Sequence, residues 1–248
     1  MRAFFMALAI PSAAVQLNAQ VAGKFPPDSL VNVHVISRTT PVIQVIGTMR
    51  TMTGALGVRC QFCHVGQEGL PLEQFDFASD EKRNKLVARQ MMRMVQEVNR
   101  RLDTIPQRGT PPVPVACATC HRGISRPVPL NTLIADVAIA VNADSAIRAY
   151  RALRQRYYGR DAFDFSEFSL NGAAFRTAVA GKHDDALALL RLNEELFPGS
   201  SGMYVFRGNI LLRKGDTLAA GDAFREALRR DTSNAEARGR LTAIKQRP

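Results

Sequence analysis

Two short stretches decide how this chain is read: Gly57-Val58-Arg59-Cys60-Gln61-Phe62-Cys63-His64 and Ala116-Cys117-Ala118-Thr119-Cys120-His121-Arg122-Gly123. The chain has four cysteines, and all of them fall in these two Cys-x-x-Cys pairs, each followed at once by His. With four His among 248 residues, chance would place a His after both pairs about once in four thousand sequences. Two thiols three positions apart on a helical turn can each add to one vinyl group of a haem. The next residue then lies under the ring with its imidazole towards the iron. The spacing therefore implies two covalently bound haem c groups, tethered by Cys60 and Cys63 and by Cys117 and Cys120, with His64 and His121 as proximal ligands. A four-Cys zinc site leaves both His unexplained, and 53 residues separate Cys63 from Cys117 against the roughly 15–20 of common zinc ribbons. A thioredoxin-type dithiol needs one active pair in a βαβ setting, which is not apparent here. Two structural disulfides give no reason for the His residues.

A haem iron with one His takes a second axial group or keeps an open position, and that choice separates electron carriers from catalysts. Ahead of the first pair, PVIQVIGTMRTMTGALGVRC reads as a helix opened by Pro41 and closed by Gly57, with Ile43, Ile46, Met49, Met52 and Leu56 on one face. Met49 and Met52 are both in register to reach an iron. Ahead of the second pair, the run from Ala78 to Leu102 predicts a helix capped by Ser79, with Asp80 and Glu81 at its positive end and Arg100 and Arg101 at the other. Its apolar stripe is Val87, Met91, Met94, Val98, Leu102 and Ile105, which leaves Met91 and Met94 as alternatives and puts Met92 off the face. His34, in a β-rich run outside both motifs, competes as a distal ligand. Arg89, Arg93 and Arg122 are candidates to neutralise haem propionates.

The segment from Pro41 to Pro127 resembles the cytochrome c subunit family of photosynthetic reaction centres and its relatives in non-phototrophic bacteria. The resemblance lies in "LGVRCQFCHVG", "FASDEK", "VARQMMRM" with "VN" after it, and "CATCHRG". In that family a helix carrying a Met ligand precedes each Cys-x-x-Cys-His segment, which implies Met49 as sixth ligand of the first haem and Met91 of the second. The reaction-centre subunit carries four haems and a lipid attachment, whereas this chain has cysteines for two haems and shows no lipid anchor.

The remaining sequence sets compartment and partners. MRAFFMALAIPSAAVQLNAQ has the layout of a secretory signal, one Arg, an apolar stretch and small residues near Leu17-Asn18-Ala19. It implies export to the periplasm. The formal net charge of +11 is spread over both halves without a Lys/Arg cluster interleaved with aromatics, and the chain has no Trp. That distribution argues against nucleic acid and for an acidic protein or an anionic membrane surface. No apolar run beyond the leader is long enough to span a bilayer.

After Pro127 and Pro129 the sequence reads as a linker, and then a period of 34 residues appears. Gly181, Ala186, Leu190 and Pro198 return as Gly215, Ala220, Phe224 and Thr232. With Tyr204, Gly208 and Ala227, the second unit resembles a tetratricopeptide repeat. The first unit matches less well, with Leu170, Ala174 and Asn193 at the aromatic, glycine and alanine positions. The segment from Asp144 to Tyr158 would begin the stack and that from Asn234 to Gln246 would cap it.

The expected organisation is a signal peptide (1–19), a dihaem cytochrome c domain (20–130), a linker (131–143) and a tetratricopeptide-like helical domain (144–248). The expected fold class is mostly α: a dihaem c-type module plus a C-terminal helical array. The expected role is transfer of single electrons, not enzymatic catalysis. Expected partners are redox proteins, including a membrane complex docked through the repeats. Rival roles are an assembly subunit of such a complex and a peroxidase-like enzyme with one open iron.

Overall fold

The computed structural model describes residues 24–246; the expected leader lies outside them. Among the described residues the fold is mostly α, with ten α-helices and no strand beyond a single bridge between Val65 and Asp76. None of these helices is long and apolar enough to cross a membrane. The chain divides into two compact units. One runs up to Thr53 and resumes over Arg59–Val115; the other takes Gly54–Val58 together with everything from Ala116 onward.

Helix α1 (Val42–Leu56) opens after Pro41, whose carbonyl accepts from the N–H groups of Gln44 (2.9 Å) and Val45 (3.2 Å). It ends at Gly57, which takes a left-handed φ of +64° that glycine adopts without a Cβ penalty. Ile46, Met49, Met52 and Leu56 are half-buried as the pattern suggested, whereas Ile43 is exposed and the buried residues are Val45 and Ala55.

Helix α2 (Arg83–Leu102) begins three residues later than Ser79 capping would place it. Local competition for the backbone explains the delay. The Asp76 carboxylate accepts from the N–H groups of Ala78 (2.9 Å) and Ser79 (2.8 Å), and the Ser79 hydroxyl accepts from Glu81 N–H (3.1 Å). These side chains fold 76–81 into turns, an alternative to helix that short polar residues offer readily. Within α2 the expected stripe is only partly realised: Met91, Val98 and Leu102 are half-buried, while Leu86, Val87 and Met94 are exposed, and the one buried side chain is Lys85.

In the second unit, α3 (Cys117–His121) is a single turn. The stretch expected as a linker, 131–143, is instead α4 (Leu130–Ala140) running into the start of the next helix. Leu130, Ile134, Ala135 and Ala138 are all buried. Proline is what misled: Pro129 stands just before the first helical residue, where its missing N–H costs nothing. The later helices are α5 (Ala143–Tyr157), α6 (Glu167–Val179), α7 (His183–Leu196), α8 (Ser201–Lys214), α9 (Thr217–Arg230) and α10 (Ala235–Lys245). Helix α5 packs on α4 and α7, the helices from α6 to α10 pack in sequential pairs, α4 also meets α6, and α6 meets α8, so that one continuous apolar core forms around Tyr150, Leu170, Leu190, Met203 and Phe224.

The 34-residue period is visible in the backbone itself. Lys182 N–H bonds Thr177 C=O (3.2 Å), and 34 residues later Asp216 N–H bonds Leu211 C=O (2.9 Å), each around a glycine with φ near +85°, Gly181 at 84° and Gly215 at 89°. Gly208 lies flat against the Phe224 ring, where a Cβ would come within 2.5 Å of it. At the weaker unit, Asn193 is buried and donates to Asn171 Oδ1 (2.8 Å) and the Glu167 carbonyl (3.1 Å), so two amides replace the apolar contact the repeat pattern anticipates.

Candidate metal centres

The first motif lies in the first unit and begins as a tight turn. Cys60–Phe62 is a 3-10 segment, and the Cys60 carbonyl accepts from both Cys63 N–H (3.2 Å) and His64 N–H (2.9 Å). Cys60, Cys63 and His64 therefore share one turn of backbone. Both thiols are free and half-buried; burial pushes the Cys63 thiol up, against the pull of the nearby Lys82 charge. From α2, Lys82 donates to the Gln61 carbonyl and Asn84 to the Phe62 carbonyl (3.0 Å), which fixes the turn by its own backbone acceptors.

His64 sits against the loop that returns from the motif. Asp76 N–H bonds the Val65 carbonyl (2.9 Å), closing the loop, and the Phe77 ring meets the imidazole edge-on with centroids 5.0 Å apart. Phe25 (5.5 Å) and Phe75 (5.7 Å) brace Phe77 in turn. Gly66 lets Phe75 in, since a Cβ there would come within 2.5 Å of the Phe75 ring. Burial, helped by the Lys85 charge, lowers the His64 pKa to about 4, against smaller opposing effects of the Phe77 backbone and Asp76. The imidazole is therefore neutral near pH 7 and keeps a lone pair for a metal. Its Nδ1 is buried and has no hydrogen-bond partner.

A polar hub holds this loop. Lys85, only 9% exposed, donates to three successive carbonyls, those of Phe77 (2.9 Å), Ala78 (2.9 Å) and Ser79 (2.8 Å), and lies 3.2 Å from Asp80. Arg89 pairs with the other Asp80 oxygen (2.8 Å) and donates to the Asn32 carbonyl (2.8 Å), while the Asn32 amide donates to the Ala78 carbonyl (2.5 Å). The Arg89 guanidinium holds the Asp80 carboxyl well below the usual carboxylate range. Arg89, expected as a propionate partner, is thus committed to the hub; Arg93 and Arg122 are exposed. His34, the alternative distal ligand, is exposed and pairs with the Asn32 side chain (2.8 Å).

The second motif lies in the second unit. Thr119 N–H bonds the Ala116 carbonyl (3.0 Å) and its hydroxyl accepts from Ala116 N–H (3.0 Å), which starts the α3 turn without a polar capping residue. Arg122 (φ 47°) and Gly123 (φ 86°) then reverse the chain, so that His121, 9% exposed, has its Nδ1 3.0 Å from the Ile124 carbonyl. A carbonyl only accepts, so Nδ1 carries the hydrogen of this bond, and Nε2 is the nitrogen left outside it. Gly123 N–H bonds the Ala55 carbonyl (2.8 Å), and a Cβ on Gly57 would collide with the Gly123 carbonyl. Both the left-handed φ and that close approach require glycine at position 57. Cys117 is half-buried and Cys120 exposed, both as free thiols.

Of the candidate sixth ligands, Met49, Met52 and Met91 are half-buried and Met94 is 47% exposed; Met92, expected off the face, is also half-buried, and all five belong to the first unit. Among the described residues, no three His, Cys, Asp or Glu side chains gather as a protein-only metal site needs. Sequence pattern missed the residues that hold these turns by bonding backbone: Lys82, Asn84, Lys85 and Asn99. Asn99 pairs both ways with Val115, Nδ2 to carbonyl and Oδ1 from N–H at 2.8 Å each, shortly before Cys117. Their targets are carbonyls and amides, which leave no mark in a sequence.

A family model described as the photosynthetic reaction centre cytochrome C subunit matches residues 71–164. That span holds the second Cys-x-x-Cys-His motif and all of α2, α4 and α5, and starts after the first motif. Cytochrome c-554 of Chloroflexus aurantiacus is 42% identical over 72 residues, 28% of this chain and 15% of that protein. The match thus spans a small part of that relative's length.

Proposed function

We propose that the protein is an exported c-type cytochrome with two haem c groups, relaying single electrons between redox partners, with its helical array as the docking surface. The cytochrome likeness reported above supports the c-type reading, and the residues fit the group. Each motif offers two free thiols and an imidazole on one turn, and α2 carries exposed Leu86, Val87 and Met94 suited to an apolar macrocycle. When bound, haem supplies an iron that cycles between ferric and ferrous at a potential the protein tunes. Cys60 and Cys63 would tether one group and Cys117 and Cys120 the other; His64 and His121 would ligate iron through Nε2, and Met49 and Met91 would be the sixth ligands. The organisation is a leader at 1–19, a haem module at 20–130, and a tetratricopeptide-like array that begins with α4. Periplasmic location follows from the leader.

The observation that carries this reading is that two separate turns each hold paired thiols beside a His, half-buried at position 64 and buried at position 121. A pyridine haemochrome assay with an intact mass on the exported protein tests it: two haem c per chain are expected, and a colourless protein refutes it. A ferric spectrum with two low-spin sites is expected for a carrier; one high-spin site would favour peroxidase-like catalysis. Met49→His and Met91→His should each lower one midpoint potential far more than Met92→His, because a thioether ligand holds the potential above that of two imidazoles. Equal small shifts from all three would refute the Met assignment.

A further inference from the structure

We infer that Lys85 makes the haem held by Cys60, Cys63 and His64 the higher-potential one of the two. This rests on the dihaem reading above and adds an order to it. Lys85 is buried, and its three N–H groups meet three carbonyls at 2.8–2.9 Å, so its charge is fixed in place. Its carboxylate, Asp80, is shared with Arg89. Around the first motif, Lys82, Lys85 and Arg89 stand against the carboxylates of Asp76 and Asp80, while Arg59 and Glu68 pair with each other at the surface (3.5 Å). A fixed positive charge in a poorly polarisable surrounding disfavours the ferric state, which carries one more positive charge than the ferrous.

The contacts of the two imidazoles act in the same direction. The His121 Nδ1–H donates to the Ile124 carbonyl, and a ligating His that donates in this way is a stronger base, which favours ferric iron. His64 Nδ1 makes no hydrogen bond of normal geometry, and the facing Phe77 carbonyl accepts from the Lys85 ammonium, which weakens it as an acceptor for the imidazole. Lys85 thus works twice: it supplies charge, and it holds Phe77 edge-on to the imidazole. The cations that follow the second motif in sequence, Arg122 and Arg126, are both exposed, and solvent and salt screen such charges heavily.

The test is a potentiometric titration of the full-length holoprotein, followed by absorbance and low-temperature EPR, on the wild type, Lys85→Met, Lys85→Arg and Lys82→Gln. Two separated midpoints are expected. Lys85→Met should lower the higher midpoint and leave the lower in place, with two haems still bound, and Lys85→Arg should restore the wild-type order. Equal midpoints in the wild type, or a Lys85→Met shift confined to the lower midpoint, would overturn the inference. If Lys85→Met does not accumulate, Lys82→Gln decides: a smaller drop of the higher midpoint supports the inference, and an unmoved one overturns it. Fewer than two haems on the wild type would instead remove the dihaem reading itself.

Discussion

The two units are stabilised in different ways. The array from α4 to α10 buries a continuous set of side chains, with Ile134, Tyr150, Leu170, Leu190 and Phe224 fully enclosed. The described part of the first unit buries almost nothing beyond Val45 and Lys85, and fixes its turns by side chains that reach backbone carbonyls and amides. Hydrophobic burial is the main favourable contribution to folding, so the array has its own core. The first unit instead offers half-buried and exposed apolar faces on α1 and α2 that a large apolar cofactor would cover.

The sharpest way to break that contrast is to remove the thiols proposed to tether a haem in the first unit. In Cys60→Ser with Cys63→Ser, amides of α2 are expected to lose hydrogen-exchange protection while those of α6 to α9 keep it. Equal loss in both regions would mean that the array is not self-sufficient. The reciprocal experiment removes core from the array. Phe224→Ala should cost about 3–5 kcal/mol by cavity formation, seen as a lower melting transition of the array, with the haem-to-protein ratio unchanged.

A smaller effect separates backbone anchoring from burial. Asn99→Ala removes both hydrogen bonds to Val115 and should cost about 1–3 kcal/mol, measured by denaturant titration of the holoprotein through the haem absorbance. Asn99→Asp, which keeps the acceptor and loses the donor, should fall between. The smallest expected effect is acid sensitivity at the hub. Asp80 is held below its ordinary pKa in the folded state, chiefly by Arg89, so its contribution is complete above about pH 4 and fades as pH falls towards the depressed value. The stability gap between wild type and Asp80→Asn should therefore narrow on acidification below about pH 4; a gap that widens would remove Asp80 from the hub.

How much of this was legible follows from what each residue bonds to. The paired cysteines with a His directly after each pair form a spacing that chance seldom produces, so both motifs could be read directly. The 34-residue period could also be read, because Gly181 and Gly215 occupy a left-handed backbone position that few other residues tolerate. Helix α4 could not, because Pro129 looks like a break and an all-round apolar run such as Leu130–Ala140 has no amphipathic face to display. Ser79 was read as a cap although its hydroxyl serves a turn. Lys85 was invisible, since a lysine in a helical pattern is ordinarily assigned to solvent and nothing in the sequence announces three carbonyls converging on it.

The buried amide pair of the array has one more consequence. A stack of identical units could slip by one repeat and still satisfy its contacts. Here the positions 34 residues beyond Asn171 and Asn193 are Val205 and Ala227, both buried and apolar. Slippage of α6 or α7 by one unit would strand an amide against hydrocarbon, so this pair keys the helices into a single order along the stack.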